Sequence, residues 1–394
     1  MAWVKRNQCW PRAHDGCVSN STAIAHFGSW TAFKECLRHE YIDRFGVPAW
    51  DEKRPRLGTY RDQVLRETSE MFEGAVKRVK SLKPYAPAKL SKANQQELSE
   101  VHVLLSDVHV GEYNDPNLTS GLTSYDFDTF LQAADTLEER LLFFKKLYGR
   151  AWRIDKLVVN FLGDLVTNEN LFLGQALQVD RIITDQVFEA AHRFGCMLRN
   201  WASRFREIEV YAMPGNHGRI GKKGELHWRS NLDYMAYRVM SALVKEVKNI
   251  RWVIAEGPFI IVQHGDFNFL IHHGDSIGGG GVTRGNLVNL ERKVHHFSQM
   301  ADVPIHYSLT GHFHRSASIA LAGGGRIIAN GSFPGGSSFS VEKIGDCQVP
   351  AQKLLLFHPT MGVHSETDLI LGERLTLSPD SNRMLTPNYR ENEC

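Results

Sequence analysis

Cysteine is scarce in this 394-residue chain: six residues, at positions 9, 17, 36, 196, 347 and 394, with no Cys-x-x-Cys pair. That excludes a disulfide scaffold and a thioredoxin-type redox site, and reduced, structurally ordinary thiols are expected. Cys9, His14, Cys17, Cys36 and His39 lie in one stretch, but their spacings match no common zinc finger. No apolar run approaches the roughly 20 residues of a membrane helix. The opening Met-Ala-Trp-Val-Lys-Arg has no apolar signal core. A cytoplasmic protein with no membrane partner is the expectation. No internal repeat occurs. The four glycines at 278–281 are not followed by Lys-Ser/Thr, which excludes a phosphate-cradling loop of the Gly-Lys-Ser/Thr kind. Net charge is also small, +2.

That small net value hides a division. Residues 1–90 hold 16 Lys/Arg against 10 Asp/Glu, and the remainder holds 30 against 34. A basic front ahead of a slightly acidic body suits contact with a polyanion. Apolar content of 42% and charged content of 23% are those of an ordinary globular protein, and the length suffices for more than one domain.

Against this background five short polar clusters stand in order: Asp107-Val108-His109, Gly163-Asp164, Gly215-Asn216-His217, His273-Gly274 and Gly311-His312-Phe313-His314. Each sits at the end of an apolar run that reads as a buried strand: Val101–Ser106, Leu157–Leu162, Ile208–Met213, Phe267–Ile271 and His306–Leu309. Ligands of α/β sheets gather beyond the carboxyl ends of strands. Extended backbone would put Asp107 and His109 on one side, and likewise His312 and His314. A single Asp-x-His is commonly only a turn, but five such clusters in order point to metal. Carboxylate, imidazole and one amide without thiolate suit Mn, Fe or Zn, with Mn favoured, and argue against Ca. Two such ions can clamp the attacking and leaving oxygens of a displacement at phosphorus. Asp164, alone after its strand, is the natural bridge. His264-Gly265-Asp266 mimics His273-Gly274-Asp275, and we place His264 in a turn between strands Phe259–Val262 and Phe267–Ile271. His272 should face away from the site.

The ordered set Asp-x-His, Gly-Asp, Gly-Asn-His, His-Gly, Gly-His-x-His resembles the calcineurin-like metallophosphoesterases over residues 98–375. The resemblance implies an α/β β-sandwich flanked by helices. It implies that Asp107, His109, Asp164 and His314 hold one metal and Asp164, Asn216, His273 and His312 the other. A metal-bridging hydroxide would attack phosphorus while His217 assists the leaving oxygen. Two departures stand out. Thr167, followed by Asn168, occupies a place where the family often has an acid or amide, and Gly218 stands where it usually has Asp or Glu. The second departure leaves His217 without an obvious orienting partner. Arg219, Lys222, Lys223 and Arg284 are candidates for gripping phosphate oxygens. The glycine run 278–281 reads as a lip over the site.

Residues 1–50 read as a small all-α module. Ser19-Asn20-Ser21-Thr22 caps one short helix and Ser29 the next. The string Ala23–Phe33 resembles DNA-binding repeats that accompany homing endonucleases, which implies that Thr31, Lys34 and Arg38 face DNA. Residues 51–97 form a linker and an amphipathic helix, and 376–394 a loose tail. Helices are expected over Phe127–Leu147, Val179–Arg204 and Leu232–Val247, and closing antiparallel strands over Ser316–Ala322, Arg326–Ala329 and Lys353–Phe357. The expected activity is metal-dependent phosphodiester hydrolysis, in the general plan of the nuclease subunits of double-strand-break repair complexes, with DNA as partner. The alternative is a phosphomonoesterase or protein phosphatase on the same fold. A non-catalytic scaffold is disfavoured because the whole ligand set is present.

Overall fold

The computed structural model describes residues 98–372, apart from 120, 173, 222–224, 278–283, 322–323 and 339, together with Phe33, Cys36 and Leu37. Contacts divide the chain into two units, Met1–Glu73 and Gly74–Cys394, and the elements below belong to the second. The helix-turn-helix with Thr31, Lys34 and Arg38, the 51–97 segment, Lys222, Lys223, the glycine lip and the 376–394 tail lie outside the described residues, as does the Arg284 side chain.

Eleven strands are described: β1 (Leu98–Leu105), β2 (Arg153–Phe161), β3 (Glu207–Ala212), β4 (Ile250–Ile254), β5 (Ile260–His264), β6 (Phe267–His272), β7 (Tyr307–Thr310), β8 (Ala317–Ala320), β9 (Arg326–Ala329), β10 (Ala351–His358) and β11 (Gly362–Ile370). Four helices accompany them: α1 (Phe127–Tyr148), α2 (Ile183–Ala202), α3 (Leu232–Leu243) and α4 (Arg284–Ala301). One sheet has the order β11-β10-β1-β2-β3-β4, the other β5-β6-β7-β9-β8. β1 to β4 run parallel to one another, with β10 antiparallel to β1. In the second sheet β6, β7 and β9 run parallel, flanked by antiparallel β5 and β8.

Side-chain alternation sorts these strands into layers. Val101, Val103 and Leu105 of β1 and Leu157, Val159 and Phe161 of β2 face one core with Phe130, Phe194 and Trp201 of the helices. The residues between them in sequence, Leu104 and Val158, meet Phe269, Ile271, Tyr307 and Leu309 of the second sheet. Leu290, Val294 and Phe297 of α4 cover the far side of that sheet against Leu270 and Ile327. The result is a sandwich of two mixed sheets with a helix layer on each outer face. Burial of each large side chain contributes ~1.5–3 kcal/mol.

The expected sandwich with flanking helices is present, with corrections in detail. β9 lies parallel to β7, not antiparallel, because the β8–β9 hairpin inserts its second strand beside β7. β10 is buried along its whole length and does not alternate, since it is an interior strand paired on both sides, with β1 and β11. β4, β11 and α4 have no counterpart in the sequence reading. β4 and β11 are edge strands, and their partly exposed residues break the apolar run that marks a buried strand. His264 ends β5 as a buried residue and is not in the turn, which begins at Gly265.

Candidate metal centre

All five polar clusters lie just past the C-terminal ends of parallel strands, three from the first sheet and two from the second. Their residues leave the strand conformation at once. Among the described residues, seven that are not glycine have positive φ, and five of them are Asp107 (51°), His109 (50°), Asp164 (53°), His312 (70°) and His314 (54°). Side chains other than glycine rarely adopt this left-handed region, and such strain concentrates at functional sites. It also corrects the expected geometry. Asp107 and His109 share a side because two left-handed residues flank buried Val108, not because the chain stays extended. His312 and His314 repeat the device around Phe313, whose N–H donates to the Gly311 carbonyl at 2.9 Å.

Backbone bonds lock these loops together. Asp107 N–H donates to the Gly163 carbonyl at 3.0 Å, and Val108 and His109 N–H both donate to the Asp164 carbonyl, at 2.9 and 3.1 Å. His312 N–H sits 2.9 and 3.0 Å from the two Asp107 carboxylate oxygens. His217 N–H donates to Asp164 Oδ1 at 2.7 Å. Gly163 and Gly215 permit this crowding. A Cβ on Gly163 would come within 2.6 Å of the Gly215 backbone and of His273 Nδ1, and one on Gly215 would collide with Asp164.

Potential ligand atoms converge in two main groups, Asp107/His109/His314 and Asp164/His273/His312, with His109/Asp164/His217 spanning them. His109 Nε2 lies 3.1 Å from His314 Nε2, and His314 Nε2 lies 3.4 Å from Asp107 Oδ1. His273 Nε2 lies 3.1 Å from Asp164 Oδ2 and 3.0 Å from Asn216 Oδ1. Bonds of ~2.1 Å to a transition metal place neighbouring ligand atoms about 3.0–3.4 Å apart, so these separations fit coordination edges. His273 Nδ1 donates to the Leu162 carbonyl at 2.7 Å, which leaves Nε2 as the ligating atom. The residues present therefore fit two divalent ions with Asp164 between them.

Electrostatics agree with a cation demand. Burial holds His109 well below the ordinary imidazole range, and the neighbouring His217 and His314 push it the same way. His312 is held down to about 4, first by burial and then by His273. Burial also pulls His273 down, but the surrounding carboxylates, Asp164 foremost, together raise that imidazole to about 10. Burial would raise Asp164 too, yet the surrounding histidines hold it well below its usual value. A dication meets the same demand for positive charge that otherwise falls on His273.

The remaining named residues are placed as follows. His217 Nδ1 lies 3.1 Å from the Thr167 carbonyl, so a backbone oxygen orients the ring, and the ring packs edge-on against His109 with centroids 4.5 Å apart. Asn168, itself left-handed at φ 70°, donates through Nδ2 to the carbonyls of His217 and Arg219, both at 2.7 Å. This holds Arg219 on the same loop as His217, and its Nε is buried without a partner. His272 faces away, with Nε2 3.0 Å from Ser308 Oγ.

Asp233 of α3 was not among the residues singled out in the sequence. Its buried carboxylate accepts from Asp164 N–H (2.9 Å) and Gly215 N–H (2.8 Å) through Oδ2, and from Leu165 and Val166 N–H (both 3.1 Å) through Oδ1. Burial, and then the Asp164 charge, push Asp233 up to about 6, while the N–H donors pull it down. One acid thus ties the Gly163-Asp164 and Gly215-Asn216-His217 loops together. Asn231 caps α3 by accepting from Asp233 N–H at 2.8 Å and donates to the Gly215 carbonyl at 2.9 Å. Gly218 has no room for any side chain, because a Cβ there would collide with Asn231 Oδ1. The sequence signal was present as Asn231-x-Asp233 at a helix start, but it reads as an ordinary cap. Glu112 was also missed. It is half-buried, accepts from Asn114 Nδ2 at 2.8 Å, and lies 3.7 Å from His109 Nδ1.

No family model matches the chain, and no curated relative matches it. Among solved structures it is similar to wild-type Vps29 complexed with zinc from Entamoeba histolytica, at 15% identity, covering 68% of this chain and 99% of that one, with a TM-score of 0.28. A dimetal phosphatase from Danio rerio matches at 10% identity over 71% of this chain and 100% of that one, with a TM-score of 0.33. A predicted phosphoesterase from Streptococcus pneumoniae matches at 12% identity over 71% and 99%, with a TM-score of 0.25. At these TM-scores the likeness decides nothing about the chemistry of this chain, which rests on the geometry of its own site.

Proposed function

We propose that this chain is a two-metal phosphoester hydrolase acting on phosphodiesters of nucleic acid, with DNA as the substrate class and Mn as the working ion. The observation that carries the reading is the pair of buried ligand groups joined at Asp164, held by five left-handed residues that are not glycine. Folding sustains strain of ~1–3 kcal/mol at such a residue only when the surrounding structure demands it. When bound, two divalent ions supply activation of water and a clamp on the oxygens at phosphorus.

The chain's own residues supply the rest. Asp107, His109 and His314 would hold one ion, and Asn216, His273 and His312 the other, with the Asp164 carboxylate within reach of both. His217 has its Nδ1 tied to the Thr167 carbonyl, so Nε2 is the atom that delivers a proton to the leaving oxygen. Arg219 sits one residue beyond Gly218 on that loop and grips a phosphate oxygen. Nucleic acid as substrate is supported by the excess of Lys/Arg over Asp/Glu, 16 against 10, in residues 1–90. The resemblance of Ala23–Phe33 to DNA-binding repeats supports it further.

The test incubates the full chain with Mn, Zn or Fe(II) and labelled single- and double-stranded DNA, RNA, and chromogenic phosphate mono- and diesters. Asp164→Asn and His217→Ala serve as controls. Mn-dependent cleavage of DNA and diesters that Asp164→Asn abolishes is expected. Hydrolysis of monoesters alone overturns the nucleic-acid reading in favour of a phosphomonoesterase, and no hydrolysis with any metal overturns the hydrolase.

A further inference from the structure

A second group of metal-type ligands lies at the other end of the sandwich. Glu100 and His102 stand on the inter-sheet face of β1, and His264 ends β5 of the opposite sheet, so both sheets contribute. These three side chains each offer one potential ligand atom, all within 4.8 Å of one another. His102 is 1% exposed, His264 4% and Glu100 8%. Strand rise puts His102 ~17 Å from Asp107 along β1, so this group is separate from the proposed catalytic centre.

We propose that Glu100, His102 and His264 form a third metal site, for a divalent transition metal of the zinc class, that pins the two sheets together. Glu100 Oε2 lies 3.4 Å from His102 Nε2 and 3.2 Å from His264 Nδ1. A hydrogen bond between such atoms needs the proton on the line joining them. Here that condition fails: Glu100 Oε2 and both nitrogens of His102 are buried without a hydrogen-bond partner. Coordination has the opposite geometry. Each lone pair points to the ion rather than to the other ligand, and bonds of about 2.0–2.1 Å leave tetrahedral edges of about 3.3–3.4 Å. Both measured separations lie near that length.

The surroundings sharpen the need for an ion. His102 stacks on Phe269 with centroids 5.2 Å apart and meets Phe357 at 5.2 Å. His264 contacts Tyr211 and Phe269 edge-on, at 5.8 and 5.5 Å. In such an apolar shell an unmatched polar atom is expensive. Lys156 Nζ neutralises only the other side of the carboxylate, at 3.3 Å from Glu100 Oε1, and its second partner is Glu209 Oε2 at 2.9 Å. Glu209 Oε2, 3.9 Å from His264 Nδ1, is the nearest further carboxylate for a fourth position. Two imidazoles and one carboxylate favour zinc, cobalt or iron over calcium and magnesium.

The experiment uses the full chain with zinc or cobalt as the only added metal. After equilibrium dialysis, elemental analysis should find about three ions per chain in the unaltered protein and about two in His264→Gln. His264→Gln with Mn added should retain diester hydrolysis within about twofold, since it touches no catalytic group. A triple variant, Asp107→Ala, Asp164→Ala, His273→Ala, should keep about one cobalt per chain with the intense visible absorption of a four-coordinate site. Equal metal content in the unaltered protein and His264→Gln overturns the proposal. Should His264→Gln fail to fold, the triple variant decides alone: no retained cobalt overturns the site, and one four-coordinate cobalt upholds it.

Discussion

Replacing Asp233 by Asn separates a carboxylate that merely fills space from one that holds the metal loops in place. The carboxylate accepts four backbone N–H groups, from Asp164, Leu165, Val166 and Gly215, at 2.8–3.1 Å. Asparagine keeps one accepting oxygen and turns an NH2 toward the other two donors. Two buried charge-assisted bonds worth ~1.5–3 kcal/mol each are lost. Relief of the buried charge, visible in the rise of Asp233 to about 6, offsets part of the loss. A net cost of ~3 kcal/mol follows, or about 6–12 °C in melting temperature for a domain of this size. The functional consequence is separate. Asp164 N–H and Gly215 N–H share Oδ2; with the NH2 in that place the Gly163-Asp164 and Gly215-Asn216 loops move apart, and the affinity for the second of two titrated ions falls about 10–100-fold. Urea unfolding and competitive Mn titration measure the two effects. The control is Asp126→Ala, which removes the α1 cap that accepts from Thr129 N–H at 2.7 Å. It should cost ~1 kcal/mol and leave metal affinity alone. If Asp233→Asn binds Mn as the unaltered protein does, or loses affinity no more than Asp126→Ala, the carboxylate does not organise the site and the reasoning fails.

Three further outcomes are expected. His217→Ala should lower kcat about 10²–10⁴-fold for DNA, whose leaving oxygen needs a proton, but far less for a p-nitrophenyl diester, with metal content unchanged. Equal losses on both substrates would remove His217 as the proton donor. Gly218→Ala should destabilise by ~1–3 kcal/mol in urea unfolding because its Cβ meets Asn231, and Gly218→Asp, whose Cβ meets the same atom, should be no better. Burial raises the Glu138 carboxyl above its ordinary value, against the pull of Asn200, which donates to it at 2.7 Å. The folded state then holds that proton more tightly than the unfolded one, so the charge costs stability progressively as pH rises through the carboxyl range. Glu138→Gln should therefore be more stable than the unaltered protein at pH 7 and converge with it below about pH 4, as urea midpoints across pH will show.

How much was legible in the sequence differs by element. β1, β2, β3, β6 and β7 were readable because strands buried on both faces are continuous apolar runs ending in a polar cluster. α4 was not, although Leu287, Leu290, Val294 and Phe297 recur at helical spacing, because the glycines ahead of it drew attention to a loop. β11 was hidden by His364, Ser365, Glu366, Thr367 and Asp368, which an edge strand tolerates and a central strand does not. Thr167 looked like a loss at its position, yet the atom that orients His217 is its backbone carbonyl, which any residue type supplies.

By itself the sequence determined the kinds of ligand and their order along the chain, since imidazole, carboxylate and amide are properties of residues and the glycines beside them mark where backbone must turn. Only the tertiary structure decided that two sheets, not one, deliver them, that left-handed backbone aims them, and that Asp233 braces them from a helix 69 residues beyond Asp164. It also brought His264 against Glu100 and His102, residues of separate sheets that no local pattern connects. Ligand chemistry is written in single residues, whereas proximity is created by packing between strands that are distant in sequence.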